Sequence, residues 1–188
     1  AADELRELLA LAPGLVVIDE AYGPFATHSM LGELGRHPNL VVMRTLSKMG
    51  LAGLRLGYLA GDPAWLGEFD KVRLPYNINV LSQHSVRFAL AHPEVFSAQT
   101  ETLKAERARE QAELAALPGI EVFPSEANFL LIRTPPGRAG ELFEGLRERR
   151  ILIKRLDGAH PLLHDCLRIT VGTPAENDQL LAALRDLL

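Results

Sequence analysis

One lysine and one arginine stand among glycines in the segment Thr45-Leu46-Ser47-Lys48-Met49-Gly50-Leu51-Ala52-Gly53-Leu54-Arg55-Leu56-Gly57-Tyr58. An amine free in water is protonated at neutral pH and does not attack carbonyl carbon. Neighbouring cationic charge and partial burial turn such an amine into a covalent catalyst, and Arg55 with the apolar Met49, Leu51 and Leu54 offers both. A carboxylate, Asp19, closes the run Leu15-Val16-Val17-Ile18 in the same way that Ser47 and Lys48 follow Leu40-Val41-Val42-Met43.

Short apolar runs of this kind form buried parallel strands, and open α/β sheets bind ligands at the carboxyl ends of such strands. If both runs lie in one parallel sheet, Asp19 and Lys48 open onto one crevice. An amine able to form a Schiff base, a carboxylate to hold a pyridinium nitrogen and an anchored phosphate are what pyridoxal phosphate (PLP) requires of a protein. Arg55 presents a planar fork that suits the phosphate better than a lysine would.

The segments Val17-Ile18-Asp19-Glu20-Ala21-Tyr22, Arg44-Thr45-Leu46-Ser47-Lys48, Leu51 to Tyr58, Leu74-Pro75-Tyr76-Asn77-Ile78-Asn79, Ala127-Asn128-Phe129-Leu130 and Cys166 to Thr173 occur in this order over nearly the whole chain. In this the chain resembles the carboxyl-terminal half of the fold-type I PLP-dependent aminotransferases, most closely the histidinol-phosphate aminotransferases. The resemblance implies an α/β fold, part of a PLP-transferase large-domain sheet followed by a small α/β domain. It implies Lys48 as the Schiff-base lysine, Asp19 at the pyridine nitrogen and Tyr22 at the phenolic oxygen, with Ser47 and Arg55 at the cofactor phosphate. It assigns Arg168, Lys154, Tyr76 and Asn77 to substrate, with Lys154 and Arg168 as a cation pair for its phosphate. The implied reaction is transamination between L-histidinol phosphate and 2-oxoglutarate in histidine biosynthesis, by a homodimer when intact. The alternatives are another PLP aminotransferase, a threonine-phosphate decarboxylase, or a non-catalytic truncated domain that binds a partner.

Taken singly, the residues have plainer readings. Asp19 suits a turn or helix cap after a strand, Tyr76-Asn77 suits a turn, and Arg168 alternates with apolar residues as on one wet face of a sheet. His160, His164, Asp165 and Cys166 carry ligand chemistry, but Pro161 and a loop context spoil a helical ligand face, so no metal is expected. Cys166 is the only cysteine of 188 residues, which points to a reducing, cytoplasmic home. The formal charge of −4 and isoelectric point near 5.9 argue against nucleic acid as a partner. No apolar run approaches the ~20 residues of a membrane span, and no signal-peptide pattern opens the chain.

The elements that must position these residues are legible as alternating strands and helices. Helices are expected over Asp3 to Ala12, Ser29 to Gly35, from Asp62-Pro63, over Leu81 to His92 and Pro93 to Leu117, then over Arg138 to Arg150 and Pro174 to Leu188. Strands are expected to carry Asp19, to precede Lys48 and to cover Leu54 to Ala60. Further strands are expected at Ile120 to Phe123, Asn128 to Arg133, Ile151 to Arg155 and Leu167 to Val171. Residues 1–92 read as part of the PLP-binding large domain and 93–188 as the small domain.

Overall fold

A computed structural model describes residues 2–188, which divide into a first unit running to Ala98 and a second of Gln99–Leu188. The division falls inside the helix Pro93–Ala115, six residues beyond His92.

The first unit contains α1 (Ala2–Leu11), β1 (Val16–Asp19), β2 (Leu40–Thr45), β3 (Gly57–Gly61), α2 (Pro63–Val72) and α3 (Val80–Leu90). Its sheet has the order β1-β2-β3, with β1 and β2 parallel and β3 antiparallel to β2. One face of the sheet is covered: Leu40 and Val42, with Val16 and Ile18, pack on Leu9 of α1 and on Met30. The other face leaves Val17, Met43 and Leu59 exposed at 48%, 38% and 40%. Asp62 caps α2 by accepting from the Ala64 N–H at 2.8 Å, and Asn79 caps α3 by accepting from Ser82 N–H at 2.9 Å.

The second unit contains α4 (Pro93–Ala115), β4 (Glu121–Val122), β5 (Phe129–Arg133), α5 (Ala139–Glu148), β6 (Lys154–Arg155), β7 (Cys166–Thr170) and α6 (Pro174–Leu187). Its sheet is antiparallel throughout, in the order β4-β5-β7-β6. Leu130 and Ile132 of β5, Leu167 and Ile169 of β7, Leu142 and Leu146 of α5 and Leu181 and Leu184 of α6 form one core with Leu114 of α4. Truncating any of these fully buried leucines to alanine removes about 2–5 kcal/mol. A capping box of Thr173 and Glu176 starts α6.

Three elements differ from expectation. The stretch at Ser29 is a 3₁₀ turn, Met30–Glu33, so the crossover from β1 to β2 uses 3₁₀ turns rather than an α-helix. The strand expected from Leu54 starts at Gly57, because Ala52–Leu54 turns and Arg55 takes a left-handed conformation at φ 54°. A Cβ at Gly57 would lie 2.7 Å from the Arg44 carbonyl oxygen, so only glycine lets β3 close on β2 there. Of Ile151 to Arg155 only Lys154–Arg155 pairs, since Arg150 at φ 63° redirects the chain and Ile151 and Ile153 pack against the core instead.

Glu110 of α4 is fully buried, and neither carboxylate oxygen has a hydrogen-bond partner among the described residues. Burial pushes its carboxyl up to about 7; Arg109 opposes this and Glu106 adds to it. Between its ordinary value and 7 the unfolded chain releases a proton that the folded chain keeps, so this group's contribution to stability falls as pH rises through that window. The stability of Glu110→Gln relative to the wild type is therefore expected to grow by about 3 kcal/mol between pH 4.5 and 8 in urea titrations. Parallel pH profiles would contradict the assignment.

Candidate functional site

The parallel ladder pairs Asp19 with Met43 and continues one step further, Glu20 N–H donating to Met43 O at 2.8 Å. Both strands therefore end at the same sheet edge, as their apolar runs predict. Past that edge Asp19 Oδ1 accepts from Ala21 N–H at 2.9 Å, and Gly23 N–H donates to Glu20 O at 2.8 Å, closing a turn whose central residues are Ala21 and Tyr22. Asp19 itself is exposed and lies on the wall of a cleft of 680 Å³, with Met43, Thr45, Tyr58, Phe69 and Asn77.

Lys48 emerges from β2 in the 3₁₀ turn Ser47–Met49 and is half-buried. Thr45 Oγ1 accepts from Ser47 N–H at 3.1 Å and fixes the start of that turn. Gly50, at φ 85°, ends it in the left-handed region that favours glycine. The Lys48 amine stands 5.0 Å from the centroid of the Tyr22 ring. Lys48 and Tyr22 are not on the cleft wall; they meet just past it, Tyr22 following Ala21 and Lys48 three residues beyond Thr45. Arg55 is exposed, its guanidinium donating to the Ala52 carbonyl at 3.4 Å. Tyr76, at φ 58° and 99% exposed, and Asn77 line a second cleft with Arg73 and Arg87.

In the second unit, Lys154 and Arg168 are direct cross-strand partners on β6 and β7. The Arg168 guanidinium lies over the Phe129 ring at 5.1 Å, and its buried Nε has no hydrogen-bond partner among the described residues. Like charges directly opposite on neighbouring strands repel, and a bound anion would relieve that repulsion. The cluster with metal-ligating chemistry is Asp157, His164 and Asp165 rather than the quartet read from sequence. Both carboxylates already accept hydrogen bonds: Gly137 N–H donates to both Asp165 oxygens at 3.0 Å, and Arg155 donates to Asp157 at 2.6 Å. Hydrogen bonds from Arg155 and from the Asp165 N–H hold the Asp157 carboxyl down to about 2. Cys166 is buried and its thiol points to His164 O at 3.5 Å.

Sequence reasoning passed over an interior ion pair beside this site. Glu20 accepts from Arg44 Nε at 3.1 Å and Nη2 at 2.7 Å, from Ser29 Oγ at 2.8 Å and from Met30 N–H at 2.6 Å. Burial opposes ionisation of Glu20, but the bonds from Arg44, Met30 and Ser29 outweigh it and lower its carboxyl below the usual range. The signal available was two opposite charges flanking the strand-end motifs, Glu20 directly after Asp19 and Arg44 within an apolar strand.

The residues present fit PLP. Among the described residues, Lys48, Arg55, Lys154 and Arg168 form no ion pair, which leaves both units with cationic groups suited to anionic ligands. An apolar-walled cleft carries Asp19, with one carboxylate oxygen still able to accept a proton-bearing ring nitrogen. Lys48 would hold the aldehyde carbon, Tyr22 the phenolic oxygen, and Ser47 and Arg55 the phosphate.

Comparison with known proteins agrees with this chemistry. The family profile for aminotransferase class I and II matches residues 1–184. The chain is 55% identical over 183 residues to a protein of Chromobacterium violaceum named histidinol-phosphate aminotransferase, covering 97% of this chain and 51% of that protein. It is similar to the crystal structure of histidinol-phosphate aminotransferase from Sinorhizobium meliloti in complex with pyridoxal 5'-phosphate, with a TM-score of 0.84 at 30% identity over 99% of this chain and 52% of that one. It is also similar to L-threonine-O-3-phosphate decarboxylase from Porphyromonas gingivalis, with a TM-score of 0.85 at 28% identity over 98% of this chain and 58% of that one. The chain spans about half the length of the curated relatives it matches.

Inorganic phosphate is expected to relieve the repulsion between Lys154 and Arg168. At twenty times its dissociation constant it should raise the thermal midpoint by about 4 °C, and the double variant Lys154→Gln/Arg168→Gln should lose that rise. An equal rise in both proteins would place the anion elsewhere.

Proposed function

The chain belongs to the class I and II aminotransferase family, and on that premise we propose that its protein exchanges the amino group of L-histidinol phosphate with 2-oxoglutarate, using PLP. The observation that carries this reading is the Lys48 amine, 5.0 Å from the Tyr22 ring at the shared end of two parallel strands and without an acid partner among the described residues. The names of relatives 55% identical to the chain support the choice of substrate.

Bound PLP supplies an electron sink for the bond-breaking at the substrate's α-carbon. Lys48 Nζ, which first holds the cofactor, is the base that takes the α-proton. Asp19 keeps the ring nitrogen protonated, and the Tyr22 hydroxyl donates to the phenolic oxygen. Ser47 and Arg55 hold the cofactor's phosphate. Arg168 with Lys154 binds the phosphate of histidinol phosphate in one half-reaction, and Arg168 the carboxylate of glutamate in the other. Tyr76 and Asn77 contribute to substrate recognition. Residues to His92 serve as part of the cofactor-binding large domain and the remainder as the small domain.

The intact protein acts as a cytoplasmic homodimer in this reading. Exposed apolar residues of the first unit, among them Leu81 and Phe88 at 80% and 71%, give a second copy surface to cover. No helix among the described residues is long and apolar enough to cross a membrane.

The likeness to a threonine-phosphate decarboxylase favours a second reading, decarboxylation of an amino-acid phosphate with the same groups. One assay separates the two. With L-histidinol phosphate and 2-oxoglutarate the gene product should form glutamate, and with L-threonine O-3-phosphate it should release no carbon dioxide. Lys48→Ala should lower kcat/KM at least ~1000-fold, and neutralising Lys154 and Arg168 together should raise KM for histidinol phosphate about 10-fold or more. Carbon dioxide release without glutamate would overturn the transaminase reading, and an unchanged KM would overturn the role of the cation pair.

A further inference from the structure

We infer that the Arg44–Glu20 pair is a positioning device that fixes the Tyr22 turn against the Lys48 strand, and so tunes how tightly and in which protonation state the cofactor is held. The inference rests on the cofactor reading above and deepens it with Glu20 and Arg44, to which that reading gives no ligand contact, although Arg44 lies with Asp19 on the wall of the cleft.

Glu20 and Gly23 are the two ends of the turn that presents Ala21 and Tyr22, and one guanidinium holds both. Arg44 Nε and Nη2 converge on Glu20 Oε2, while a Cβ built on Gly23 would lie 3.1–3.2 Å from Arg44 Nη2, Cζ and Nε. Gly23 therefore lies against the guanidinium, where any side chain would push it away. The same Nη2 donates to Ser29 Oγ at 2.9 Å, and Ser29 Oγ donates to Glu20, closing a ring to which Tyr58, facing Arg44 across the β2–β3 ladder, adds a further hydrogen-bond partner. The Glu20 and Arg44 side chains are only 9% and 21% exposed. Buried, multiply bonded ion pairs of this kind serve geometry more than stability.

Arg44 lies four residues before Lys48 and directly opposite Tyr58 across the β2–β3 ladder. Its grip on Glu20 adds a side-chain tie between the ends of the two strands at the last backbone bond of their ladder, Glu20 N–H to Met43 O. Loosening that tie moves the Tyr22 hydroxyl and the Asp19 carboxylate relative to the Lys48 amine. These are the groups whose spacing sets the proton affinity of the bound cofactor.

The test uses the full-length gene product loaded with PLP and four variants: Glu20→Gln, Arg44→Lys, Gly23→Ala and Ser29→Ala. Gly23 has no positive φ, so Gly23→Ala adds a methyl against Arg44 without backbone strain and stays informative if Glu20→Gln folds poorly. Glu20→Gln and Gly23→Ala are expected to weaken PLP binding about 10-fold, and to move the pH midpoint of the cofactor's visible absorption by about one unit. They should lower kcat about 10-fold with less than a twofold change in KM. Arg44→Lys, a point charge without the flat fork, should recover only part of these losses, and Ser29→Ala should show the mildest effect. If Glu20→Gln and Gly23→Ala lower the thermal midpoint but leave the absorption midpoint and PLP affinity as in the wild type, the pair is structural only and the inference falls. If the wild type itself gives no visible absorption with PLP, the cofactor reading falls first and takes the inference with it.

Discussion

Two parallel strands joined by a crossover must end at the same edge of their sheet, and everything proposed for this chain depends on that constraint. The β1–β2 ladder runs in register from Val16 with Leu40 to Asp19 with Met43, and the Glu20 amide extends it by one more bond. A carboxylate at the end of one strand and an amine just past the end of the other then stand at one sheet edge, Asp19 on the cleft wall and Lys48 beside Tyr22. Gly57 allows β3 to close on Arg44 from the other side, and the fixed β2 strand delivers Lys48 beside Tyr22. Local bonds from the Ala21 and Gly23 amides close the Asp19–Tyr22 turn, and the interior Arg44–Glu20 contact adds a tie to β2.

The second unit solves a different problem by the same means. A core of leucines and isoleucines from β5, β7, α5 and α6 sets the β7 strand rigidly, and the ladder places Lys154 opposite Arg168. A bound anion would relieve the repulsion between these two like charges, which is the role proposed for them. Glu110, buried in the same unit without a hydrogen-bond partner among the described residues, contributes less stability as it ionises.

The parts of the site that follow directly from a short apolar run were legible in the sequence. Asp19 and Lys48 both come after four-residue runs of that kind, and the structure has those runs as parallel strands. Thr173 and Glu176 likewise announced their helix through local chemistry. Features built from residues distant in sequence were not legible. Glu20 and Arg44 lie 24 positions apart, and no local spacing shows that their side chains meet. The start of β3 was misjudged because Leu54 and Leu56 read as strand, whereas the left-handed Arg55 between them breaks the run. Glu110 was hidden because α4 carries charge on all sides, so its period gave no sign of which face is covered. Ile151 and Ile153 were taken for ladder residues because an apolar alternation does not say whether a segment pairs or simply packs.

The central claim is that the amine of Lys48 is the group that holds the cofactor covalently. The most direct measurement is to incubate the gene product with PLP, reduce with borohydride, digest, and locate the pyridoxyl mass by tandem mass spectrometry. The account predicts one dominant label, on Lys48, that disappears in Lys48→Ala. A label distributed over surface lysines such as Lys71 and Lys104, with Lys48 unmodified, would contradict it.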